Sequence, residues 1–269
     1  MSAEGATGAG EGTILKTYVA ELHVHSVLSP CAEIEMIPPL IVREALERGI
    51  DLIAVTDHNA SANVGAVVEA ASGTGLSVLA GIELETSEAI HVVCLFDELE
   101  ALEAWQRVVD ARSPDLENDI DYYGEQFVVD ATGDFVRREP RLLLASTGIS
   151  LKEAVEDVAK LGGIAIPAHV DAPKYSLLGA LGSVPDGLKV EALEISRNLD
   201  PSTAAERYPQ LRGYPLLQNG EVHRLSEFLG ANRLELAAPT VAELRLALRG
   251  EAGRSLALRR VAEPHLTER

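Results

Sequence analysis

Seven histidines punctuate this chain, and six of them fall at or near the C-terminal ends of short apolar runs that read as strands. His23 and His25 close TYVAELHVH, His58 follows IDLIAVTD, and His91 lies on HVVCLF. His169 follows GGIAIPA, and His223 comes shortly after YPLLQ; His265 alone stands in the C-terminal tail. Neutral imidazole is the commonest protein ligand for transition metals. Alternate residues of a strand share a face, so His23 and His25 point one way while Leu22 and Val24 pack on the other, which makes H-x-H a two-toothed clamp for a cation. The plainer reading is a pair of half-buried histidines satisfied by hydrogen bonds.

Acidic groups accompany the histidines. VTDHN sets Asp57 beside His58 at a strand exit, a pairing that serves turn geometry as readily as catalysis. GIELET supplies Glu83 at the end of a strand, and NGEVHRL supplies Glu221 two residues before His223. A buried carboxylate stays ionised only beside a partner, and a metal ion is one such partner. The two cysteines, Cys31 and Cys94, cannot build a disulfide framework, so each reads as a buried thiol or a metal ligand. Cys94 shares the strand side of Val92 and reads as core packing.

Elements must bring these scattered groups together. Strands are expected at 17–25, 50–57, 76–83, 90–96, 163–169, 190–196 and 214–218, with weaker ones at 233–237 and 255–261, and helices fall between them. Short β-branched runs alternating with amphipathic segments read as a parallel sheet with crossover helices. A helix over 38–48 opens on Pro38-Pro39 and stops at Gly49. Ser150 with Glu153, and Thr240 with Glu243, carry the spacing of a capping box. The polar, acidic segment 112–148 reads as an insertion over one end of the fold, with a hairpin around FVVDATGDFV. Residues 1–13, rich in Gly, Ala and Glu, lack any hydrophobic period and read as a disordered tail, leaving 14–269 as one α/β domain. In an α/β barrel the C-terminal strand ends converge on one mouth, where six scattered histidines become neighbours.

Composition narrows the function classes. The chain has 269 residues, 23 Lys+Arg against 42 Asp+Glu, and a formal net charge of -19. Sequence-independent binding of nucleic acid needs clustered basic residues, so this balance disfavours long polyanions while leaving room for a small anion in a local basic pocket. No uninterrupted apolar stretch is long enough to span a membrane, and the N-terminus lacks the pattern of a signal peptide, so a cytoplasmic protein is expected.

The order H-x-H, D-H, Glu, His, His and finally acid-x-His resembles the PHP family, named for polymerase and histidinol phosphatase. The quoted motifs run from Leu22 to His223, and the tract LSPCAE is similar to a subgroup of that family. The resemblance implies a distorted, TIM-like (β/α)7 barrel with two or three divalent metal ions, zinc, manganese or iron, at its C-terminal mouth. It implies that His23, His25, Glu83 and Glu221 hold one ion, that Glu83 bridges to a second bound also by His91 and His169, and that Cys31, His58 and His223 hold a third. Cys31 stands where many members carry His, and a thiolate suits zinc or iron. Glu221 stands where the family usually has Asp, keeping the charge while adding a methylene.

The activity implied is hydrolysis of a phosphoester by a metal-activated hydroxide, with Glu83 at the reacting centre. Arg197, in EISRN, and Lys174, in HVDAPKY, are candidates to bind the phosphate, and solvated surface charge is the other reading for both. Asp57, beside His58, either orients that ligand or passes a proton to the leaving oxygen. The expected substrate is a small phosphomonoester, a nucleotide or a histidinol-phosphate-like compound. The alternatives are a phosphodiesterase degrading short oligonucleotides from an end, and a metal-binding regulatory module with little turnover. A metal-dependent amidohydrolase would carry a bridging lysine, and none of the five lysines ends a strand expected to hold metal.

Overall fold

All nine runs expected as strands form strands, with ends displaced by no more than three residues. The computed structural model describes residues 14–259; the expected tail at 1–13, the end of the last strand run at 260–261, and His265 lie outside the described residues. The strands are β1 (Lys16–Val24), β2 (Leu52–Val55), β3 (Ser77–Glu85), β4 (His91–Phe96), β5 (Phe127–Val129), β6 (Phe135–Arg138), β7 (Ile164–Pro167), β8 (Leu193–Ile195), β9 (Leu216–Gln218), β10 (Asn232–Leu236) and β11 (Ser255–Leu258). The helices are α1 (Pro38–Glu47), α2 (Val64–Ala71), α3 (Leu99–Arg112), α4 (Ile120–Tyr123), α5 (Leu151–Lys160), α6 (Leu177–Leu181), α7 (Ala204–Arg207) and α8 (Val241–Arg249). Among the described residues no helix is long and apolar enough to cross a membrane.

A seven-stranded sheet runs β11-β10-β1-β2-β3-β4-β7, and β8 and β9 form a parallel pair. The pair bridges the sheet's two sides. Val170 N–H donates to Glu194 O at 2.8 Å on the β7 side, and Val222 exchanges backbone hydrogen bonds with His23 and His25 on the β1 side. Seven strands, β1-β2-β3-β4-β7-β8-β9, thus curl around a common axis, while β10 and β11 extend the sheet outside that ring. The two seams, held by one and two backbone bonds, are where the barrel is distorted.

The expectation of a parallel sheet with crossover helices is corrected at the outer edge, where β10 pairs antiparallel with β1 and with β11, and at β4. β3 pairs with β4 antiparallel, and β4 pairs with β7 antiparallel. Only five residues, 86–90, separate β3 from β4, too few for a crossover. They form a tight turn in which Thr86 N–H donates to Ile90 O at 2.9 Å. His91 therefore lies at the N-terminal end of its strand, and the reversal of β4 carries it to the same mouth as the C-terminal ends of β1, β2, β3 and β7.

Interior packing follows the alternation of the strands. Leu22, Ala54, Leu79, Leu95, Ile166 and Leu217 fill the barrel below the mouth, where α8 adds Val241, Leu244 and Leu248. A second cluster joins the outer strand faces to α1, α2, α3 and α5 through Ile41, Val67, Trp105 and Val158, and it includes the fully buried Cys94. Leu22 and Val24 belong to different clusters, because the β1–β2 register shifts between Glu21 and Val24.

Local signals account for several boundaries. α1 opens on its two prolines and is followed by Gly49 at φ +69°. At α5, Glu153 N–H donates to Ser150 Oγ and Ser150 N–H donates back to the Glu153 carboxylate, completing the box. At α8 only half of it forms: Glu243 N–H donates to Thr240 Oγ1, but the Glu243 carboxylate accepts from Ala237 N–H and pairs with Arg254. The insertion forms the β5–β6 hairpin and lies against the loops leaving β1 and β2. Phe127 N–H donates to Val27 O at 2.9 Å, Asn63 bonds both Phe127 and Val129, and the Asn59 amide donates to Leu143 O and Ala145 O.

Glu21, fully buried, ties the loop after β9 to β1. Its carboxylate accepts from the N–H groups of Gly220, Leu229 and Gly230 at 2.6, 2.7 and 2.9 Å. Burial raises its pKa from 4.5 to about 7 against the pull of these donors. An acid with a raised native pKa binds more protons folded than unfolded between those values, so its contribution to stability falls as pH rises through that window. Urea unfolding of the wild type and Glu21→Gln at pH 5 and pH 7.5 should show the wild type losing on the order of 2 kcal/mol relative to the variant; parallel pH profiles would refute this account.

Candidate metal centre

The strand ends at the mouth deliver five imidazoles to one buried carboxylate. Glu83, fully buried near the end of β3, has Oε1 at 2.9 Å from His91 Nδ1, 3.2 Å from His23 Nε2 and 3.3 Å from His169 Nε2. Its Oε2 lies 3.0 Å from His58 Nδ1 and 3.4 Å from His25 Nε2. His223 completes the group, its ring stacked on His25 with centroids 4.0 Å apart.

His169 Nε2 is hydrogen-bonded to Glu83 Oε1, but most of the other contacts are close without being hydrogen bonds. His23 Nε2, His25 Nε2, His91 Nδ1 and Glu83 Oε2 are buried and have no hydrogen-bond partner. Buried polar atoms are rarely left in that condition, and a bound ion is one reason for it. Three overlapping sets have ligand atoms close enough to share a cation: His23, His25 and Glu83; His58, Glu83 and His91; and His25, His58 and His223. Nitrogen and carboxylate donors of this kind fit zinc, manganese or iron.

Electrostatics within the cluster reflects the same crowding. Burial opposes the charge on Glu83, yet His91, His23 and His58 hold its carboxyl well below the usual carboxylate range. Burial likewise opposes protonation of His91, but Glu83 and Glu85 raise it to about 9. His23 is held well above the ordinary value by Glu194 and Glu83 in spite of its burial. His25 is pushed well below by burial and by His223 and His58, and burial also lowers His58 and His223.

A second layer orients the imidazoles. His23 Nδ1 lies 3.0 Å from Glu194 Oε1, and Glu194 also accepts from Asn219 Nδ2 at 2.7 Å. Asp57, fully buried, accepts from Ser26 N–H, Ser26 Oγ and Ser29 Oγ at 2.7, 2.6 and 2.7 Å. Ser29 Oγ stands 3.0 Å from His25 Nδ1 and accepts from His58 N–H at 3.2 Å. Asp57 therefore acts on His25 and His58 through Ser29, and this geometry favours orientation over proton transfer. Glu85 faces His91 Nε2 at 3.6 Å and accepts from Ser146 of the insertion.

Other expected groups sit differently. Cys31 is exposed, and the set containing His58 and His223 is completed by His25. His169 faces Glu83, while His58 joins Glu83 and His91 in the second set. Glu221 points toward His169 Nε2 at 3.7 Å with its side chain 41% exposed, outside the three sets. Arg197 donates to Gly220 O at 3.2 Å and faces Glu227 at 3.6 Å, so its guanidinium braces the loop that precedes Glu221. Lys174 is exposed on the loop after His169.

Sequence reasoning missed Glu194, Ser29, Asn219 and Glu85. For Glu194 a signal was present, a lone acid inside the apolar run ALEI, where a charge needs a partner. Backbone strain also marks the mouth. Asn59, His169, Tyr175 and Glu221 adopt positive φ without being glycine, a conformation that persists where surrounding structure over-determines it.

Titrating chelator-treated protein with manganese should show binding that Glu83→Gln removes. Glu194→Gln should weaken it about 10- to 100-fold, the usual effect of losing an orienting partner of a ligand histidine. Unchanged affinity in Glu194→Gln would remove His23 from the ligand set.

Known proteins are similar to this chain in sequence or in fold. An uncharacterised Bacillus subtilis protein, YqxK, is 25% identical over an alignment 275 positions long that covers 90% of this chain and 64% of YqxK. The lesion-specific endonuclease PfuEndoQ of Pyrococcus furiosus superposes with a TM-score of 0.68 at 19% identity, covering 90% of this chain and 58% of that one. A putative metal-dependent phosphoesterase of Bifidobacterium adolescentis superposes with a TM-score of 0.50 at 17% identity, covering 76% and 87%. The chain thus spans about three-fifths of YqxK and of the endonuclease. Residues 21–170, more than half of the sequence, match the PHP domain, and the chain belongs to the PHP family.

Proposed function

We propose that this protein is a metal-dependent phosphoesterase whose centre is built on Glu83. The observation that carries the reading is the set of buried, unpartnered ligand atoms directed at one another around that carboxylate. Divalent ions bound there would lower the pKa of water and neutralise charge on phosphate oxygens. Glu83 and the imidazoles of His23, His25, His58, His91, His169 and His223 are the proposed ligands. Glu221 and Cys31, at the edge of the cluster, are proposed to join only by small side-chain movements.

The protein's own groups supply the rest. Glu194 and the Asp57–Ser29 pair keep His23 and His25 aimed inward, so binding requires little reorganisation. Arg197 fixes the Gly220 loop and thereby the position of Glu221 and His223. Lys174 is the proposed cation for a phosphate at the rim.

Two substrate classes are weighed. The acidic composition supports a small phosphomonoester. A phosphodiester in nucleic acid is favoured by the likeness to a lesion-specific endonuclease over 90% of this chain. Phosphate release from a panel of monoesters, and cleavage of intact and lesion-bearing oligonucleotides, should be measured with manganese, zinc and iron beside a His23→Ala/His25→Ala double variant. Metal-dependent turnover of either class, lost in the double variant by at least about 100-fold, is the expected result. Turnover that survives in the double variant, or none on any ester with metal bound, would refute the assignment.

A further inference from the structure

Tyr175 occupies a position that the ligand set does not explain. It follows His169 on the loop between β7 and α6, and its backbone is left-handed, with φ +53°. Its carbonyl accepts from His91 N–H at 2.9 Å, and its ring lies on the His91 imidazole, centroids 4.9 Å apart and planes within 14°. His91 is 7% exposed beneath it, yet Tyr175 itself is 49% exposed. One face of the ring is committed to a proposed metal ligand, and much of the remainder is open at the mouth.

The loop that carries this ring is held at both ends. Asp171 accepts from Ser196 N–H and Oγ at 2.6 and 2.7 Å, and Ser176 Oγ accepts from Gly179 N–H at 3.0 Å. A large aromatic side chain in left-handed backbone, fixed in place and half exposed, needs a reason beyond folding. A flat apolar ring at the rim offers a stacking surface to any planar group beside the reacting phosphate.

We infer that Tyr175 is a specificity-determining residue, whose outer face stacks on an aromatic ring attached to the phosphate group of the substrate. The inference rests on the phosphoesterase reading and narrows it to nucleotide-like or other ring-bearing phosphoesters. Lys174, its exposed neighbour, stands beside the same approach.

The test measures binding of adenosine 5′-phosphate and ribose 5-phosphate to the manganese-loaded protein, in the wild type, Tyr175→Phe and Tyr175→Leu, with manganese affinity recorded for each. The two ligands share a phosphate and a sugar and differ in the base. The wild type should bind the ring-bearing ligand about ten-fold more tightly. Tyr175→Phe should keep that preference, whereas Tyr175→Leu should erase it, with ribose 5-phosphate and manganese binding unchanged. A preference that survives in Tyr175→Leu, or is absent from the wild type, overturns the inference alone. Loss of manganese in Tyr175→Leu also overturns it, because the ring would then serve only to hold His91. Failure of the wild type to bind either phosphate compound would overturn the phosphoesterase reading together with this inference.

Discussion

The mouth of this barrel is organised by one electrostatic constraint, a fully buried glutamate that must be compensated. Removing a carboxylate from water is costly unless charge and hydrogen bonds replace the solvent. At Glu83 the replacements are imidazoles from four strand ends, all within 3.4 Å of its two oxygens. Burial disfavours charge on every ring; Glu194 and Glu83 overcome it at His23, and Glu83 with Glu85 at His91, whereas at His25, His58 and His223 burial prevails, with neighbouring rings adding to it. A cation could satisfy the same carboxylate while leaving the imidazoles neutral, and this gives the chemistry of the site its direction.

That arrangement requires a scaffold that does not relax. Glu194 with Asn219 steadies His23, and Asp57 acts through Ser29 on His25. The insertion contributes as well: Asn59 and Asn63, just after β2, bond its backbone, and Ser146 reaches Glu85. Among the described residues, four of the six with positive φ other than glycine, Asn59, His169, Tyr175 and Glu221, lie around the same mouth. Strain is tolerated there because hydrogen bonds from several elements converge on it. Glu21 extends this framework to the far side by binding three amides of the loop that carries Glu221 and His223.

Much of the fold and the centre was legible from local pattern. Histidines at the ends of apolar runs marked the mouth, since a strand's alternation and polarity are local properties. The antiparallel β4 was legible in principle from the five-residue gap before it, but its effect on His91 depends on which strand it joins. The fine partition of ligands was not legible. The spacing after His25 points to Cys31, whereas the folded chain leaves Cys31 outside the three sets and places His25 with His58 and His223. Tyr175 carried no signal at all, because nothing in HVDAPKY announces a ring stacked across space on His91.

The amino-acid sequence by itself determined the element order, the barrel class, the PHP resemblance and the histidines and Glu83 that meet at the mouth. Those properties follow from periodicity of two or 3.6 residues and from donor chemistry, both written along the chain. Only the tertiary structure decided which donor atoms lie close enough to share a cation, that Asp57 acts through serine, that Arg197 braces a loop, and that Glu194 stands behind His23. These are contacts between residues distant in sequence, and their geometry depends on how the strands curl, where β1 shifts register, and which way β4 runs.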